Sequence, residues 1–107
     1  MNLRLSETNA DDGTYEVEFV CQRRRDETGI LQLKKTAGTL VGGIYGRASE
    51  DAAWVLISGR KHDDQSVVST MSESGYLSEI PIFPLMKATV VTSGGAGANT
   101  FKVWFIE

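Results

Sequence analysis

The chain has 107 residues, 41% of them hydrophobic and 23% charged, with a formal net charge of -3. A chain of this length supports one domain with one core, burying roughly 60–70% of the surface its unfolded form exposes, and its apolar fraction excludes a disordered chain. The slight acidity excludes the broad basic field that would hold a nucleic-acid backbone, so no nucleic-acid partner is expected.

The one cysteine, Cys21, has no second thiol to pair with, so the fold is expected to rest on packing or assembly, as a reducing cytoplasm allows. No charged start leads into an apolar core, and no apolar run approaches the roughly 20 residues of a membrane helix; the expectation is a soluble chain with no membrane partner.

In chain order, Leu3 and Leu5 alternate around Arg4 before the polar stretch SETNADDGT. Residues 1–14 are expected to form an edge strand or an arm lying on a neighbour, with a free polar tail as the alternative. Residues 15–107 are expected to form a single β-sandwich domain. Tyr15, Val17, Phe19 and Cys21 alternate with Glu16 and Glu18, the pattern of a strand with one buried face. On that pattern Cys21 points inward as a small core residue rather than outward as a nucleophile.

A charged turn carries Arg23, Arg24 and Arg25, which Asp26 and Glu27 largely neutralise. The turn leads to a strand over 30–35 with Leu31 and Leu33 on its buried face, and the two strands are expected to form a hairpin with the arginines at its tip. Those arginines read as a solvated turn or as a contact with an acidic neighbouring subunit. Over 40–48 a third strand is interrupted by Gly42, Gly43 and Gly46, which mark a bulge or the close approach of another group. GGIYG has the glycines of a phosphate loop, yet no helix follows to hold an anion.

Trp54, Val55, Leu56 and Ile57 form a continuous apolar run, expected as a central strand covered on both faces. The turn GRKHDDQ holds the only histidine, His62; neighbouring Asp63 and Asp64 point apart on an extended chain, and no further His or Cys completes a site, so no metal is expected. A weak strand over 66–71 and another over 76–80 follow. Pro81 and Pro84 then bound Ile82 and Phe83 on a segment that cannot sit inside a sheet. These two side chains either seal the end of the core or dock onto another chain.

The last twenty-one residues, from Lys87, read as a hairpin closed by the loop 94–99. Phe101, Val103 and Phe105 form its buried face. The opposite face turns from Thr100 and Lys102 to Trp104 and Ile106, which is unusual for a face that meets water. About eight short strands on this pattern pack most naturally as an all-β, antiparallel two-sheet sandwich, a jelly roll being one such arrangement.

Carboxylates fall in turns, and neither the GGAGAN loop nor His62 stands in a converging constellation, so no enzymatic activity and no cofactor are expected. Surplus apolar side chains do call for a partner, because burying a large one is worth roughly 1.5–3 kcal/mol. The candidate interface comprises Leu3, Leu5, Arg23, Arg24, Arg25, Ile82, Phe83, Trp104 and Ile106.

The segments YGRASEDAAWVLI, YLSEIPIFPLMKATVVTS and TFKVWFIE, spanning residues 40–107, resemble in their order the small β-sandwich structural proteins of tailed bacteriophages. The resemblance implies a virion part. The expectation is a head decoration or cement protein, made in the host cytoplasm and placed on the outer surface of the head. It would be a dimer or trimer there, bound to the major capsid protein. A tail, fibre or baseplate module is the alternative, and a carbohydrate-binding sandwich a further one.

Overall fold

The computed structural model describes residues 3–22 and 27–107, and all regular elements among them are strands. In order these are β1 (Leu3–Ala10), β2 (Gly13–Val20), β3 (Thr28–Ala37), β4 (Leu40–Arg47), β5 (Val55–Leu56), β6 (Gly59–Lys61), β7 (Val67–Val68), β8 (Thr70–Met71), β9 (Gly75–Pro81), β10 (Leu85–Thr92) and β11 (Asn99–Ile106). Sheet A runs β1-β11-β3-β9-β6-β7 and sheet B runs β2-β10-β4-β5, with β8 also on β4. The pairs are antiparallel throughout.

Successive long strands alternate between the sheets: β1, β3, β9 and β11 in one, β2, β4 and β10 in the other, with β5 beside β4. This is the strand order of a jelly roll, eight principal strands with β6–β8 as an excursion between β5 and β9. The expected all-β sandwich is therefore the fold.

The period-two pattern sets the core. Leu31, Leu33, Phe101, Val103 and Phe105 project from sheet A onto Leu40, Ile44, Met86, Ala88 and Val90 of sheet B, all buried. Tyr15 and Phe19 of β2 reach across to Phe101 and Phe105, with ring centroids 5.8 Å and 5.5 Å apart. Cys21 is buried beside them, as the alternation of β2 requires.

Both expected hairpins are corrected. β10 and β11 do not pair: β10 lies between β2 and β4, and β11 between β1 and β3. A hairpin would place the two buried faces side by side, whereas opposite sheets let Val90 and Met86 face the phenylalanines of β11 across one core. For the same reason β2 and β3 belong to different sheets.

The run at 54–57 is also not a central strand covered on both faces. Only Val55 and Leu56 pair, at the margin of sheet B, and both are exposed. Ile57 turns into the core while Trp54 lies outside. An apolar run cannot reveal that its members are divided in this way.

The glycines of β4 cause no bulge, since its ladder with β10 runs unbroken from Leu40 to Arg47. At Gly46 the reason is close approach: a Cβ there would stand 2.6 Å from Phe83 Cδ1.

Candidate functional site

Leu3 faces Trp104 across the β1–β11 ladder, Ile106 faces Ile30 across β11–β3, and Trp104 also faces Gln32. Because Phe101, Val103 and Phe105 point inward, these neighbours share the outer side of sheet A. Leu3 is 48% exposed, and Ile30, Trp104 and Ile106 are half-buried. Three of the sequence candidates, Leu3, Trp104 and Ile106, are thus brought into one apolar patch. Ile30 joins them, and its signal was its outward position in a strand whose Leu31 and Leu33 point inward.

The remaining candidates lie elsewhere. Ile82 is 4% exposed and belongs to the core, so its assignment to an interface is corrected: the proline-bounded segment turns it inward to close the end of the sandwich. Phe83 is half-buried against the core, its ring over Gly46. Leu5 faces Val103 and packs on the core cluster, because a register shift between Leu3 and Leu5 reverses the outward alternation. Arg23, Arg24 and Arg25 lie outside the described residues.

The two tryptophans are used differently. Trp54 lies under cations on the outer side of sheet B, with the Arg47 guanidinium 4.2 Å and the Lys87 ammonium 4.9 Å from its ring centroid. Those cations also stand 3.8 Å from Glu18 and Glu16 respectively, which completes a mixed-charge lattice over the sheet. Among the described residues no cation lies over Trp104. Trp104 is half-buried on the outer side of sheet A, whereas the ring of Trp54 is engaged by two cations within the chain.

At one end of the sandwich the glycine-rich loop is latched rather than open. Asp12 Oδ1 and Asp11 Oδ1 accept from the Gly95 and Gly97 N–H groups, each at 2.8 Å. Buried Asn99 donates through Nδ2 to the Ala10 carbonyl at 2.9 Å and to Asp12 Oδ1 at 3.2 Å. The Asp11–Asp12 pair, read as a turn from sequence, is therefore the clasp that holds the 93–98 crossover to the β1–β2 turn.

In the His62 turn, Asp64 Oδ1 accepts from Ser66 Oγ at 2.6 Å and Ser66 N at 3.0 Å, and these bonds hold its carboxyl below the usual carboxylate range. His62 stacks on Tyr76 with centroids 4.5 Å apart. Among the described residues no group of three or more His, Cys, Asp or Glu side chains is placed to hold a metal ion. Cys21 is shielded, its thiol pushed up to about 11 by burial and by Glu107, with Arg4 opposing. Among the described residues there is no helix long and apolar enough to cross a membrane.

No protein-family model and no curated protein matches the chain. Among solved structures the fold is similar to the crystal structure of SPBc2 prophage-derived protein YomS, with a TM-score of 0.62 and 17% identity over 99% of this chain and 88% of that one. At this identity the likeness speaks for the jelly-roll arrangement itself.

Proposed function

We propose that the protein is a structural component of a tailed phage, and that it acts as a head decoration protein docking through the outer side of sheet A. The observation that carries this reading is the patch of exposed Leu3 with half-buried Ile30, Trp104 and Ile106 on one outer side of sheet A. Tryptophan in a desolvated centre is a common source of interface energy. The prophage origin of the fold neighbour YomS supports a phage setting.

The mechanism is linkage. A subunit that binds the assembled shell and not its separated parts stabilises the shell by mass action; about 100-fold saturation over Kd is worth about 2.7 kcal/mol per site. Symmetric copies that engage together reinforce one another, so modest single contacts suffice. The partners on this reading are the major capsid protein and further copies of this chain.

Particles made without the protein should lose resistance to heat or chelator, and adding the wild-type chain back should restore it. Unchanged resistance, with the protein found only in tails, would place it in the tail instead.

A further inference from the structure

Beyond the patch, with Gln32 between, the other end of sheet A holds a cavity of about 260 Å³ where the turn after β6 meets the loop between β8 and β9. That is below the roughly 300–1,000 Å³ of pockets for drug-sized ligands, and it suits a single ring.

Its platform is the stack of His62 on Tyr76, with ring planes 22° apart. The stack is fixed from both sides. The Tyr76 N–H donates to His62 Nδ1 at 3.4 Å, and Gly75 leaves room for the imidazole, since a Cβ there would stand 2.8 Å from His62 Cε1. Both rings are nonetheless exposed, Tyr76 at 40%. A stacked aromatic pair that keeps part of its surface exposed beside a concavity offers a flat apolar platform.

The rim is polar. Thr70 and Ser72 contribute hydroxyls that make no hydrogen bond among the described residues, and Asp63 and Glu73 contribute carboxylates. Glu73 also meets Lys35 at 3.0 Å, and Asp63 stands 3.9 Å from Lys61. Each lining carboxylate has its own cation, Lys61 for Asp63 and Lys35 for Glu73, so the rim is balanced in charge and offers a phosphate or an acidic sugar no net attraction. A ligand that fits has a flat C–H face for the rings and hydroxyl donors on its edge for the carboxylates. A neutral pyranose has both.

The geometry points to this groove as a binding site for one neutral hexose unit of a glycan, with the His62–Tyr76 stack as platform and Thr70, Ser72, Asp63 and Glu73 as hydrogen-bonding rim. A site with one platform binds weakly, with a Kd on the order of millimolar. On an assembly of many copies, avidity would make such a site effective.

The test is a nuclear magnetic resonance titration of the isotope-labelled full chain with the methyl glycosides of glucose, galactose and N-acetylglucosamine, and separately with N-acetylneuraminic acid and adenosine monophosphate. At least one neutral glycoside should produce saturable shifts confined to residues 61–63 and 70–76. Tyr76→Ala should weaken that binding by about tenfold or more. If Tyr76→Ala perturbs the whole spectrum, His62→Ala, in an exposed turn, serves in its place with the same expected loss. The proposal is overturned if no neutral glycoside moves these resonances, if only the anionic ligands do, or if a folded Tyr76→Ala or His62→Ala binds as wild type. Trp104→Ala should leave glycoside binding unchanged and Tyr76→Ala should leave particle attachment unchanged, so this site and the docking patch stand or fall separately.

Discussion

Trp104 lies opposite Leu3 on one side and Gln32 on the other, on the strand next to the edge of sheet A and on the side turned away from the core. Its neighbour Phe105, one residue on, is wholly buried. Adjacent residues thus serve two separate surfaces, and substitutions can tell them apart. Trp104→Ala should change folding free energy by no more than about 1.5 kcal/mol while sharply reducing attachment to particles. Phe105→Ala should cost about 3–5 kcal/mol of stability. Urea denaturation of both variants, beside a particle-binding assay of Trp104→Ala, checks the contrast; a Trp104→Ala chain that unfolds like Phe105→Ala would make the indole a core residue.

Asn99 joins three parts of the chain end through one amide, donating to Ala10, Asp12 and Gly95. Its removal would leave the Ala10 carbonyl without that donor in a buried setting, a loss of about 1–3 kcal/mol. Asn99→Ala is therefore expected to lower stability by that amount. Hydrogen exchange should quicken at the Gly95 and Gly97 amides, which the neighbouring aspartates now hold. Unchanged exchange there would show that the clasp does not depend on Asn99.

Gly46 and Phe83 should be energetically coupled. A methyl at position 46 would collide with the Phe83 ring, so Gly46→Ala is expected to cost about 1–3 kcal/mol. With Phe83→Ala already present the collision is gone, and the pair should cost about 1 kcal/mol less than the sum of the two changes. A double-mutant cycle in urea measures this, and strict additivity would contradict it.

The Cys21 thiol gives a pH dependence of definite sign. Its folded pKa is raised from the ordinary 9.0 to about 11, by burial first and then by the Glu107 carboxylate. Between these values the unfolded chain has released the proton and the folded chain still holds it, so stability is intact below pH 9 and declines as pH rises towards 11. Cys21→Ala should flatten that slope relative to wild type in denaturation curves taken across the alkaline range. An equal slope in the variant would assign the loss to other groups.

The faces of the strands were legible in the sequence because period-two alternation is local: Tyr15, Val17 and Phe19, then Leu31 and Leu33, then Phe101, Val103 and Phe105 all point as their spacing requires. Pairing was not legible. The alternation of β10 and β11 is equally consistent with a hairpin and with opposite walls of a sandwich, and only the closing of one core around both decides between them. The patch was half legible: Trp104 and Ile106 announced it, but Leu3 and Ile30 join it through pairings far apart in sequence. For Ile82 the sequence left open sealing the core or docking onto another chain, because a proline-bounded segment allows both; the fold turns the side chain under the end of the core, which removes it from the candidate interface. The groove of His62 and Tyr76 was hidden most completely, since its walls come from segments that only the fold brings together.

The most direct measurement is an electron-microscopic difference map between particles with and without this chain. Added density is expected on the outside of the head at its symmetry axes, with the side of sheet A that bears Leu3, Ile30, Trp104 and Ile106 turned towards the shell. Density confined to the tail, or a head-bound chain with that side turned to solvent, would contradict this expectation.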